Sequence, residues 1–230
     1  MYIAIAILLF CAIAVAQPYG TRVNDILVKI YHIGDYAGGN YANFDQYGRY
    51  QAVGDSAMAW GSVAVGTANV KINPATNKPD YVSWVYPSQK YSFDPDAAES
   101  LYFAFSLPHD WRAGSNLHPV IHWSPTTTDT GGCAWKTAYM KTVEDGVFAF
   151  AVGDTTSCIC PGSGVANTFQ HSEFTEIDFT GIDAVDVNVT GVLYRNAALG
   201  SDTYTGEAIF HNISFHYEID SFGSRWHDIK

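Results

Sequence analysis

Apolar and polar residues alternate with a period of two along most of this chain, and almost nowhere with the period of a helix. In residues 101–107, Leu101, Phe103, Phe105 and Leu107 interleave with Tyr102, Ala104 and Ser106. One side of such a run faces a core and the other faces away from it. The run near the C-terminus is longer. In a regular strand Ile209, Ile213, Phe215, Tyr217 and Ile219 share one face, and Asn212, Ser214, His216 and Glu218 share the other. Further β-prone runs cover 26–33, 58–65, 68–72, 81–86, 134–143, 147–152, 174–179 and 185–194, rich in the β-branched and aromatic residues that suit a pleated surface.

Turn residues punctuate these runs. The stretch NPATNKP at 73–79 is a loop. Glu144-Asp145-Gly146 predicts a hairpin joining 134–143 to 147–152, and 58–65 with 68–72 predicts a second one. Residues 158–167, rich in Gly, Pro and Ser, read as a loop. About ten strands spaced by turns predict an all-β fold, an antiparallel β-sandwich of jelly-roll type, over residues 56–230.

Two N-terminal segments stand outside that pattern. Residues 1–16, MYIAIAILLFCAIAVA, form a hydrophobic run ending in small residues before Gln17-Pro18. It has the form of a secretory signal with a small-residue cleavage site, although no Lys or Arg precedes it. It is short for a membrane span, which needs about 20 residues. The expectation is an extracellular protein. Residues 17–55 read as an N-terminal arm. Within it Tyr36, Tyr41, Phe44, Tyr47 and Tyr50 are spaced by Gly and Asn. This segment is too poor in aliphatic residues to build its own core, which predicts a long loop or arm, and its chemistry is that of adaptable recognition surfaces.

Composition narrows the partners. Twelve Lys and Arg stand against 23 Asp and Glu, for a formal charge of −11. Such a chain repels phosphate backbones, which argues against a nucleic-acid partner. Cys11 would leave with a cleaved signal. Cys133, Cys158 and Cys160 would remain, an odd number that allows one intrachain disulfide and leaves one thiol. The single residue between Cys158 and Cys160 is too short a spacing for a zinc pair.

The densest chemistry lies in LPHDWRAGSNLHPVIHWSPTTTDTG, residues 107–131. In a straight strand His118 and His122 point the same way, about 13 Å apart at about 3.3 Å per residue, too far to chelate one metal together. They are expected to be half-buried, with Trp111 and Trp123 packing structurally. Pro119 gives no ladder donor, so the strand starts there or lies at an edge. Nothing assigns a metal or cofactor. Glu176-Ile177-Asp178 places two acids on one strand face, as in retaining glycosidases of the laminarinase type, but Thr180 and Gly181 stand where a further Glu is needed. His109 and Asp110 are adjacent, with no Ser or Cys nucleophile marked beside them. The sequons at Asn188 and Asn212 fall inside expected strands.

Residues 101–132 resemble a set of uncharacterised bacteriophage structural proteins, abundant in marine phages. These share a segment of the form Pro-His-x-Trp-x-x-Gly-Ser, then Pro-His-x-His-Trp-x-Pro, then Thr-Gly. The resemblance extends to 77–80, to 84–87, to 174–196 and to 215–225, in the same order. Val120 stands where the family carries the first His of His-x-His-Trp, which argues against an essential metal at that pair. The resemblance implies a non-enzymatic virion structural or attachment protein: a knob, fibre or decoration domain. It implies self-association as a homo-oligomer such as a trimer, with other virion proteins or a host glycan as partners. The signal-like segment, the aromatic content and Glu176 with Asp178 support a second expectation, a secreted carbohydrate-binding or glycoside-cleaving β-sandwich.

Overall fold

The computed structural model describes residues 31–44, 49–72, 77–148, 153–184 and 186–223. The signal-like run 1–16, Tyr47 and most of the expected strand 147–152 lie outside them. Fourteen strands are described: β1 Tyr31–Asp35, β2 Asn40–Phe44, β3 Tyr50–Val53, β4 Ala59–Gly66, β5 Lys71–Ile72, β6 Asp80–Ser83 and β7 Gln89–Phe93. Then come β8 Ser100–Ser106, β9 His118–Pro125, β10 Gly132–Thr142, β11 Asp154–Pro161, β12 Gln170–Glu173, β13 Asn188–Arg195 and β14 Ala208–Ile219. All pairings are antiparallel.

Two sheets face each other. One runs β11-β10-β13-β8-β5; the other runs β12-β9-β14-β7-β6, with β4 also paired to β14. From β8 onward the chain moves back and forth between the sheets so that β14 lies between β9 and β4, and β13 between β8 and β10. That is the two-Greek-key order of a jelly roll, as the turn spacing predicts.

The sheets close on an aromatic core. Phe93, Trp123 and Trp135 meet edge to face, with centroids 5.0 Å apart for Phe93–Trp135 and 6.3 Å for Trp123–Trp135. Phe215 of β14 packs on Phe105 of β8 at 4.4 Å. Such tilted pairs are the arrangement that aromatic quadrupoles favour.

The alternation of β8 is as expected, with Leu101, Phe103 and Leu107 buried. The strand β14 departs from a regular period. The register against β9 shifts between Phe210 and Asn212, leaving His211 as the extra residue. A bulge of one residue swaps the faces on its two sides. Phe210, not Ile209, therefore joins Ile213, Phe215 and Tyr217 in the core, and Ile209 is buried on the outer face.

Other expectations fail for lack of pairing information. The run 58–65 does not form a hairpin with 68–72: β4 pairs with β14 and β5 with β8, in opposite sheets. The partner of β10 is β11, Asp154–Pro161, so Cys158 and Cys160 lie in a strand, not a loop. Residues 174–179 are not a strand; only Ile177 makes an isolated bridge, to Leu117. The arm is a three-stranded meander, β1-β2-β3, and not a loop. Its own backbone ladder supplies the order that its side chains cannot, and the Ala52 N–H donates to the Asp220 carbonyl at 2.6 Å to fasten it to the sandwich. Pro119 is the second residue of β9, which starts one residue earlier than expected, at His118, and is interior and not an edge. It lies beyond the end of the β12 ladder, which covers only Val120 to Trp123.

Gly61 of β4 lies opposite Tyr217, and a Cβ at that position would fall inside the Tyr217 ring. Gly61→Ala is therefore expected to destabilise the fold by about 1–3 kcal/mol through overpacking. Urea denaturation reads this directly, and a change within error would place Tyr217 elsewhere.

Candidate functional site

The segment between β8 and β9, residues 107–117, is built around one buried ring. Trp111 is fully buried and meets Phe179 edge to face at 5.6 Å. Its indole N–H donates to the Ser115 carbonyl at 3.3 Å, closing a tight turn in which the Ser115 N–H and hydroxyl both donate to the Arg112 carbonyl. Gly114 sits at φ 79, a region that a residue with a Cβ rarely adopts. The turn is stitched on one side to β14, where the Arg112 N–H donates to the Glu218 carbonyl at 2.7 Å. On the other side Leu117 and Ile177 exchange backbone hydrogen bonds. Anchoring the apolar residues inward turns the polar ones outward together.

They line a pocket of about 450 Å³ on the outer face of the six-stranded sheet, within the size range of small-molecule sites. Arg112 donates to Glu218 Oε2 at 2.8 Å. The Asn116 amide is used at both ends: Nδ2 donates to Glu176 Oε2 at 3.0 Å, and Oδ1 accepts from the Phe179 N–H at 3.1 Å. Its orientation is thereby fixed. His118 Nδ1 lies 3.5 Å from Glu176 Oε1. Trp60 of β4 stands at the rim, 57% exposed, held edge to face against His118 at 4.9 Å. Ser115 and Thr180 add hydroxyls.

Two residues singled out by sequence meet here, Glu176 and His118. Asp178 does not join them. It accepts from the Thr180 N–H at 2.8 Å, while its carbonyl accepts from Lys141 Nζ. The bond from the Thr180 hydroxyl, then that from its N–H, hold its carboxyl below the usual range. The two acids separate because 174–179 is not a regular strand. The second carboxylate of the pocket is Glu218 of β14. Sequence alone marked Glu218 only as an outward residue of the last strand. Trp60, Arg112 and Asn116 were not singled out as site residues, because only the pairing of β4 with β14 and the Trp111 turn bring them here.

The other candidates lie elsewhere. His122 is half-buried on the same outer face as His118, as expected. His109 Nε2 is 2.9 Å from Asp186 Oδ1, and Asp110 accepts from the Tyr217 hydroxyl at 3.2 Å. Cys133 faces Cys160 across β10 and β11, and Cys158 Sγ lies 3.5 Å from Cys160 Sγ. All three are free thiols, and burial pushes Cys133 well up. The arm aromatics engage one another: Tyr36 with Tyr41 at 4.9 Å, Phe44 with Tyr50 at 5.8 Å, and Tyr50 stacked on Phe222 at 4.7 Å. None of them lines the pocket. Among the described residues no group of three or more His, Cys, Asp or Glu is placed to hold a metal ion, and no helix is long and apolar enough to cross a membrane.

No protein-family model matches the chain, and no curated protein matches it. Solved structures do share features of its architecture. A CBM35 from Cellvibrio japonicus Abf62 is 12% identical over 67% of this chain and 92% of its own, with a TM-score of 0.40. A family 35 carbohydrate binding module from Clostridium thermocellum is 10% identical over 68% of this chain and 96% of its own, with a TM-score of 0.31. The enzymatically active domain of bacteriophage CBA120 tailspike protein 4 is 15% identical over 70% of this chain and 19% of its own, with a TM-score of 0.26.

Proposed function

We propose that this chain is a non-catalytic carbohydrate-binding domain, with the pocket between Trp60, Arg112, Asn116 and Glu176 as the seat of a neutral sugar. The observation that carries this reading is the exposed Trp60 ring at the rim of a polar pocket. A sugar ring offers an apolar C–H face and a girdle of hydroxyls. The indole takes the first, as aromatic rings with apolar bodies do at wet interfaces. Carboxylates accept from the hydroxyls, and Arg and amide groups donate to them. With the carboxylates Glu176 and Glu218 set against one guanidinium, Arg112, an anionic ligand is disfavoured. Glu218 is tied to Arg112 and Glu176 to Asn116, an arrangement suited to accepting hydroxyls in a fixed geometry and not to exchanging protons.

The same chemistry serves both settings that the sequence raises. In a virion, which the phage resemblance implies, it would hold a host-surface glycan; in a secreted protein it would hold a polysaccharide. The test is calorimetric titration with neutral oligosaccharides. Trp60→Ala is expected to weaken binding at least tenfold, about 1.4 kcal/mol, with an unchanged melting temperature because the ring is exposed. The absence of sugar binding, or an unaffected Trp60→Ala variant, would overturn the reading. Release of reducing ends from the same sugars would overturn its non-catalytic part.

A further inference from the structure

The pocket is one end of a longer feature. On the outer face of the six-stranded sheet, Trp60 is in register with Glu218, and His122 with Asn212. Those two rows are six residues apart on β14, about 20 Å at about 3.3 Å per residue. A second exposed ring stands at the far row. Phe169 is 62% exposed and lies nearly parallel to the His122 ring, at 5.3 Å and 17°. His211 supports it from another side at 5.2 Å. Trp84 packs on His211 at 4.9 Å, and its indole N–H donates to Asn167 Oδ1 at 3.1 Å, holding the loop that carries Phe169. An exposed ring supported in this way is placed, not merely left over.

The floor between the two rings is low and polar. Ser62 and Ala64 of β4 are exposed and small, so the β4 side of the path is low. His216 and Asn212 of β14 are half-buried beside them, with donors and acceptors turned to the same face. Glu173 on β12 adds another carboxylate to this face, in register with Val120.

We infer that the outer face from Trp60 to Phe169 binds one extended, neutral β-1,4-linked oligosaccharide chain, with Phe169 as a second stacking subsite. This rests on the carbohydrate reading of the Trp60 pocket and goes beyond it. Carboxylates on this face argue against a uronate chain, and two rings set about 20 Å apart along β14 and on opposite sides of β14 and β9 suit an extended, ribbon-like chain better than a compact terminal sugar. Two linked contacts gain by effective concentration once the first is made, so affinity must grow with chain length until both rings are covered.

The test is titration with cellobiose and cellohexaose, with mannohexaose and xylohexaose as alternative backbones and hexagalacturonate as the anionic control. At least one neutral hexaose is expected to bind ten times or more tighter than its disaccharide. Phe169→Ala removes that gain and leaves disaccharide affinity unchanged; Trp60→Ala weakens both. Equal affinities for short and long chains, or a gain that survives Phe169→Ala, would overturn the extended site while leaving the pocket reading in place. Preference for hexagalacturonate would overturn the assignment to a neutral chain. Absence of binding by every sugar would remove both.

Discussion

Arg195→Met is expected to remove about 3–5 kcal/mol of folding free energy, the range for stranding one partner of a buried ion pair. Arg195 is fully buried, and so is Asp202, which it meets at 2.8 Å through Nη2 and at 3.1 Å through Nε. The guanidinium also donates to the carbonyls of Gly206, Phe93 and Tyr204, and lies 5.5 Å from the Tyr204 ring centroid. Burial is the largest influence and pulls the guanidinium down, but the bonds to Asp202 together with the charges of Cys133, Asp202 and Tyr204 hold the group above its ordinary value. Asp202 in turn accepts from the Ala134 N–H at 2.9 Å. One cation thus ties the end of β13 to the end of β7, the start of β10 and the 202–206 turn.

Methionine retains much of the bulk but none of the five donors. It leaves a buried carboxylate without its counter-ion, with only the Ala134 N–H still donating to it, and takes one donor from each of three carbonyls. Urea denaturation measures the loss. A second change, Asp202→Asn added to the Arg195→Met variant, removes the uncompensated charge and is expected to recover part of it. Loss below about 1 kcal/mol in the single variant would mean that the pair is wetter than its geometry implies.

Arg195 also shows where sequence reading stops. It sits in the segment Leu193-Tyr194-Arg195-Asn196 at the end of β13, yet nothing local says that the residue points inward. Its partner is seven residues later on a turn, and its carbonyl acceptors come from that turn and from the end of β7. The strands β8 and β14 were legible because their period of two reflects one buried face. The faces of β14 around His211 were not, because a bulge is one extra residue with no compositional mark. His118 was legible as a half-buried strand histidine, and Glu176 as an acid, although its expected strand pairing with Asp178 was not kept. Trp60 and Glu218 lie more than 150 residues apart in sequence and become neighbours only through the β4–β14 register. The pocket is a property of that pairing. The arm shows the converse: its composition predicted no core, and backbone pairing ordered it all the same.

Lowering the pH from about 7.5 to about 4.5 is expected to destabilise the fold by about 2–3 kcal/mol, chiefly through His211. Burial, then the charges of Lys90 and His122, bring His211 down from 6.5 to about 4. The ring is almost wholly buried and shares a 2.8 Å hydrogen bond with the buried Ser124 hydroxyl. The unfolded chain binds a proton near pH 6.5 and the folded one only near 4. The contribution is therefore complete above the unfolded value and is lost as the pH falls through that window. His122 adds in the same direction, lowered by burial and then by His171 and His216. Glu99 works against them, since burial raises its carboxyl and protonation relieves the folded state as the pH falls. Asp129, held at about 2 first by the Thr205 N–H, contributes only below the histidine window. Urea denaturation across the range separates these. His211→Gln is expected to flatten the slope between about pH 6.5 and 4.5, whatever it costs at neutral pH. A wild-type stability that stays level there, or a full slope in the variant, would place the titrating group elsewhere. Because His122 and His211 also support the Phe169 ring, protonating them loosens the far end of the outer face. Binding that depends on Phe169 should therefore weaken in the same pH window in which stability falls.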